Sequence, residues 1–257
     1  MGDKYNLLSI FNQIARGNEM VDCTLIFPYL EEANWKNELR SKDNLALGYL
    51  ASSIRQENFS VTIIHAELHK YSINEIKQIL IETEPKSVGL SCTAQRSYTT
   101  LKAYAKMIKE NFNIPVFIGG IFPTVAYKEI LNDCPYIDFV SLGEGEIFIK
   151  DFLKILNSGE NYKKLKGLAY RDKDRVVVNG PISVVEDLDT LPYPAKDFLD
   201  EMKEELESGL YYINVSAGRG CFGKCSFCSC NKLTGTSKRR VRSVNNVVDE
   251  LEYLRKK

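Results

Sequence analysis

Ser87-Val88-Gly89-Leu90-Ser91, then the helical stretch Tyr98 to Asn111, then Pro115-Val116-Phe117-Ile118-Gly119-Gly120, decide the fold. Each apolar run is short and bounded by turn residues, the pattern of a strand covered on both faces. Two such strands joined through a helix run parallel. The same alternation extends both ways. Upstream, Cys23 to Phe27 reads as a strand ended by Pro28, and Leu45 to Glu57 as a helix with Leu47, Leu50, Ala51 and Ile54 on one face. Val61 to His65 reads as a strand, and Ile73 to Ile81 as a helix N-capped by Ser72. Downstream come a helix over Pro123 to Leu131, a strand over Ile137 to Ser141 and a helix over Glu146 to Leu156. Five strand–helix units make an α/β doubly wound parallel sheet of the flavodoxin type, order 2-1-3-4-5. Ligands in such sheets bind beyond the carboxyl ends of the strands, at the switch point between strands one and three.

Around this core, Tyr5 to Ala15 reads as a loose helical lead-in. Leu165 to Tyr170 and Val176 to Asn179 read as a hairpin turning at Asp172-Lys173-Asp174. Pro181, Pro192 and Pro194 mark a linker, and a second module begins near 198. It shows a helix to about 208, a strand Tyr211 to Val215, a cysteine-rich loop and a helix Val244 to Arg255. The expected division is 1–160, 161–197 and 198–257.

With 34 basic and 34 acidic residues among 257, the formal net charge is zero, which argues against a generic nucleic-acid binder. No apolar run is long enough to cross a membrane, and Met1-Gly2-Asp3-Lys4-Tyr5 does not begin a secretion signal. The expected compartment is the cytoplasm, where clustered cysteines point to metal or catalysis rather than disulfides. Of seven cysteines, Cys23, Cys92 and Cys134 sit among apolar neighbours and read as core; the other four fall between 221 and 230.

That cluster reads Gly218-Arg219-Gly220-Cys221-Phe222-Gly223-Lys224-Cys225-Ser226-Phe227-Cys228. The spacing lets one loop turn three sulfurs toward a common centre, with glycines supplying backbone freedom. Arg219 and Lys224 would favour thiolates. Three thiolates are one fewer than a cubane cluster takes, leaving an iron open to a ligand. A structural zinc site including Cys230 is the rival, although Cys228 and Cys230 are poorly spaced for one tetrahedron.

A CxxxCxxC loop after a strand, with Phe227 before the last cysteine, resembles the radical S-adenosylmethionine superfamily. The resemblance implies that Cys221, Cys225 and Cys228 hold a [4Fe–4S] cluster. It implies that S-adenosylmethionine chelates the open iron and that Phe227 lies against its adenine. Cys230 matches no role. The first module resembles the cobalamin-binding domain that precedes the radical module in one subgroup, through Leu47 to Ala51, Val88 to Ser91, Phe117 to Gly120, Phe139 to Glu146 and the linker Leu188 to Pro194. By that likeness Ser91, Thr93, Gly119, Gly120, Gly143 and Glu144 contact cobalamin. Gly119-Gly120 also fits an ordinary turn, and Glu144 and Glu146 also fit acidic residues at a helix start.

The loop from Pro28 to Trp35 has no histidine, so any bound cobalamin should lack a histidine ligand. His65-Ala66-Glu67-Leu68-His69 is not an HExxH motif and reads as a polar connection. The basic run Ser237 to Arg242 reads as solvated; the resemblance places a basic residue such as Arg242 near the cofactor edge, with Ser243 capping the next helix. The implied activity is methylation or rearrangement of a small-molecule or natural-product substrate. An external electron donor such as flavodoxin or ferredoxin is expected; nucleic acid and membrane partners are not. The catalytic residues are unassigned. The chain supplies only the start of a (β/α) radical barrel and reads as part of a longer architecture. A corrinoid-binding module with a vestigial cysteine loop and a structural zinc protein remain alternatives.

Overall fold

In the computed structural model, residues 20–29, 44–182, 184–199, 207, 212–235 and 237–256 are described. The lead-in over Tyr5 to Ala15, the histidine-free loop beyond Tyr29 and most of the helix expected between 198 and 208 lie outside them.

Five strands form parallel pairs: β1 (Cys23–Phe27), β2 (Val61–His65), β3 (Val88–Ser91), β4 (Val116–Gly119) and β5 (Phe139–Ser141). Their order is β2-β1-β3-β4-β5, as the alternation predicts. The hairpin is not a separate connector. Its strands β6 (Leu168–Asp172) and β7 (Arg175–Asn179) continue the sheet antiparallel beyond β5, with Ser141 opposite Leu168. An α/β sheet commonly carries an antiparallel edge of this kind.

The crossovers are α1 (Leu45–Gln56), a short α2 (Ala66–His69), α3 (Ile73–Thr83), α4 (Gln95–Asn111), α5 (Ile121–Asp133) and α6 (Gly145–Ser158). Alternate strand residues face opposite sides. Ile26, Leu90 and Ile118 pack under α3, α4 and α5, whereas Leu25 and Phe117 pack under α1 and α6 with Phe148 and Phe152. Local signals fix the helix starts. Ser72 and Glu75 form a reciprocal capping box on α3, an arrangement whose cap alone is worth about 1 kcal/mol. The segment after His65 is a helical turn rather than a loop, capped by His65 Nδ1 accepting from the Leu68 amide at 3.1 Å. Cys23, Cys92 and Cys134 are buried.

The second module departs from expectation. Residues 212–217 form no strand; no neighbouring strand pairs with them among the described residues, and a strand exists only as part of a ladder. Pairing begins later, in the antiparallel ribbon of β8 (Gly218–Arg219) and β9 (Arg240–Val241). Between them lie the cysteine loop and α7 (Cys230–Thr234); α8 (Val244–Arg255) follows, capped by Ser243 accepting from Asn246 N. Among the described residues no helix is long and apolar enough to cross a membrane.

Candidate functional site

A cavity of about 490 Å³ opens at the carboxyl ends of β3, β4 and β5, on the α1 and α6 side of the sheet. That volume lies in the range of small-molecule and cofactor sites, roughly 300–1,000 Å³. Leu25, Gly89 and Phe117 floor it. Gly89 keeps the floor flat, because a Cβ there would run into the Phe117 ring and Leu25. Leu47, Leu50, Phe148 and Ile149 line its helical sides. The far wall comes from the second module: Ser216, Arg219, Gly220, Leu233 and Thr234.

Five of the residues expected at the ligand edge do line this cavity: Ser91, Gly119, Gly120, Gly143 and Glu144. Thr93 does not line it, and its side chain is exposed. Thr124 was not legible as a site residue. Its hydroxyl donates to Gly120 O at 2.8 Å and accepts from Gly143 N at 3.1 Å, tying the turns after β4 and β5 together. Gly120 has a φ of +113°, and a Cβ there would meet Cys92 O at 2.5 Å, so only glycine fits the turn. Gly119 differs. Its Cβ would meet only Ser141, at an ordinary 3.5 Å, so internal packing does not demand glycine. An added side chain would instead crowd the cavity edge.

Glu144 is neither a simple helix cap nor a free rim group. It makes no side-chain cap bond to α6. Its carboxylate takes both Arg240 nitrogens, at 2.6 and 2.8 Å, and accepts from Val185 N at 2.7 Å. Burial opposes its ionisation, but the Arg240 hydrogen bonds, the Val185 amide and Arg219 outweigh it and hold the carboxyl below its usual range. Glu146 pairs with Arg219 at 2.6 Å, and the Arg219 guanidinium lies 4.8 Å from the centre of the Tyr49 ring. Burial and the Glu250 carboxylate push the Tyr49 hydroxyl up.

The basic run is therefore not solvated throughout: Arg240 is 4% exposed and Arg242 8%. Arg242 pairs with buried Glu250 of α8, donates to Asn246 Oδ1 at 2.6 Å and to Ser216 O at 2.9 Å. Partners distant in sequence pull these arginines inside, since a buried charge survives only when paired.

The cysteine loop hangs from the β8–β9 ribbon. Arg219 serves the carboxylates rather than the thiols, and Lys224 is exposed. Cys221 and Cys225 flank Gly223, whose ideal Cβ would sit 3.3 and 3.7 Å from their sulfurs. Two sulfurs receive backbone amides: Cys221 Sγ from Gly223 N at 3.3 Å, and Cys228 Sγ from Cys230 N at 3.5 Å. Asn231 fastens α7 back to the loop through Gly223 O at 2.8 Å. Burial, with Cys221 and Cys228 as neighbours, raises the Cys230 thiol. Among the described residues no three His, Cys, Asp or Glu side chains stand close enough to hold one metal ion. Sulfurs that bind different irons of a cluster need not meet at one point. Soft sulfur donors, two of them already receiving backbone amides, in open surroundings fit an iron–sulfur group. Phe227 is 92% exposed beside Cys228 and does not line the cavity.

Residues 43–153 match the B12 binding domain family. Over 90% of its length the chain is 32% identical to an uncharacterized methyltransferase, PH0819, of Pyrococcus horikoshii, of which it spans 50%. It is 28% identical, over 66% of its length, to the cobalamin-dependent radical SAM methyltransferase TokK of Streptomyces tokunonensis, spanning 25% of that protein. The cobalamin-dependent S-adenosylmethionine radical enzyme OxsB, solved with aqua-cobalamin, shares the fold across 96% of this chain and 32% of its own, at a TM-score of 0.74 and 22% identity. The chain thus spans half or less of the relatives it matches. The B12 binding domain match and relatives of this kind place the chain in the radical S-adenosylmethionine superfamily, in the subgroup with an N-terminal cobalamin-binding domain.

Proposed function

We propose that this chain is the cofactor-holding part of a cobalamin-type radical S-adenosylmethionine enzyme acting on a small organic substrate. One observation carries the reading: the cavity at the strand ends is walled on its far side by residues flanking the cysteine loop. A [4Fe–4S] cluster bound here and reduced by an external one-electron donor would supply the electron for cleavage of S-adenosylmethionine to methionine and a 5′-deoxyadenosyl radical, for methylation or rearrangement with cobalamin alongside. Cys221, Cys225 and Cys228 would hold the cluster, and Phe227 would cover the adenine. Ser91 offers a hydroxyl to the corrin edge, and Gly119, Gly120 and Gly143 let backbone approach it closely. Leu25, Phe117 and Phe148 exclude water from the cavity floor.

Anaerobic reconstitution with iron and sulfide tests this. The expected result is about four irons per chain, lost on Cys225→Ala, together with the visible spectrum of bound hydroxocobalamin. One zinc per chain and no iron would overturn the reading; corrinoid without iron would reduce the chain to a carrier module.

A further inference from the structure

Arg219 and Arg240 face each other directly across the β8–β9 ribbon. Like charges opposite one another destabilise a strand pair, and strands of two residues cannot stand alone. The compensating charge comes from the other module. Glu144 and Glu146, at the start of α6, take Arg240 and Arg219 at 2.6 Å each, and Glu144 also lies 3.7 Å from Arg219. All four side chains are at most 19% exposed. Two negative charges on the first module thus meet two positive charges on the second in a neutral square, with Glu146 and Arg240 buried and Glu144 and Arg219 half-buried. The charged pairs dock the ribbon that presents Cys221 on the start of α6. Glu144, Glu146, Arg219 and Gly220 also line the cavity.

We infer that Glu144 and Glu146 are positioning residues that dock the cysteine loop against the corrinoid cavity, so that filling the cavity and loading the loop tighten each other. The inference rests on the cofactor reading above. A corrinoid packed against the α6 start and Arg219 favours the docked arrangement, and a cluster that orders the loop favours it too. Two ligands that prefer one conformer couple positively, and the coupling is reciprocal.

The test titrates hydroxocobalamin into the protein before and after anaerobic loading with iron and sulfide, following visible absorption. Loading should tighten corrinoid binding about tenfold, within the usual five- to 150-fold range of allosteric coupling. Corrinoid should slow loss of iron to a chelator by a comparable factor. Glu146→Gln should lose the coupling: its corrinoid affinity, whatever its value in unloaded protein, should not change on loading. The charge-swapped pair Glu146→Arg with Arg219→Glu should restore it, which a merely damaged fold would not. In unloaded protein, amide exchange across β8–β9 should rise at least about fivefold in Glu146→Gln. Equal corrinoid affinity before and after loading, coupling retained in Glu146→Gln, or unchanged ribbon exchange would each overturn the inference while leaving the cofactor reading intact. Failure to bind iron or corrinoid at all would overturn both.

Discussion

Gly119 and Gly120 adjoin in sequence yet answer to different constraints. Gly120 needs its positive φ and its clearance from Cys92 O; Gly119 needs neither. Gly120→Ala should cost stability, about 1–3 kcal/mol for a residue forced into a sparsely populated conformation, read as a lower urea midpoint at unchanged slope. Gly119→Ala should stay within about 0.5 kcal/mol of the parent but weaken hydroxocobalamin binding, because the added methyl projects at the cavity edge. A parent-like corrinoid affinity in Gly119→Ala would mean that this glycine is only a turn residue. The pair was legible as a ligand edge or an ordinary turn. Pattern alone could not divide the roles, since the division depends on Cys92 and Ser141 across the sheet.

The first turn of α6 and the β8–β9 ribbon form the joint between the modules, and its charge state follows pH. Glu144 is held below its usual range, so its contribution is fully present above the unfolded glutamate value, about 4.3, and fades as pH falls through the lower folded value. Urea midpoints measured from pH 7 down to 3 should fall for the parent protein. Asp22 and Asp189, also held low by Lys86 and Ser243, contribute to that slope. Glu144→Gln should be less stable at neutral pH and should lose the Glu144 share of the slope, so the two curves converge on acidification. Parallel curves would place that carboxylate's titration outside the folding balance. The elements of the first module were legible because strand and helix periods are local: β1 and β2 fall on the expected residues, and the sheet order follows from alternation. The joint was not. Arg240 meets Glu144 96 residues away, and a basic run carries no local sign of such a partner.

At the scale of the whole molecule, the modules differ in how much apolar surface holds them. The first is a sheet packed on both faces, with Ile26, Leu90, Ile118, Leu25 and Phe117 buried from opposite sides. The second, together with the linker before it, is fastened by polar ties: the charge square, Ala195 N to Gly48 O at 3.0 Å, the Arg55–Asp197 pair at 2.6 Å, and Asp189 accepting from Ser243 N at 2.9 Å. Helix α8 buries Glu250 against Arg242 but leaves Val244, Val248 and Leu251 exposed. Exposed pairs such as Arg55–Asp197 are worth little, whereas breaking a buried pair is costly. The second module should therefore open as a unit while the sheet stays closed. Native-state hydrogen exchange in rising urea measures this. Amides of β1, β3 and β4 should exchange only through global unfolding, with the full denaturant slope. Those of α8 and the ribbon should exchange at lower free energy and with a shallower slope, because less surface is exposed when they open. Arg242→Met should lower the α8 exchange energy and leave the strands unchanged, since it strands Glu250 without touching the sheet. A single exchange energy and slope shared by α8 and the central strands would instead show that the polar ties make one cooperative body of the two modules.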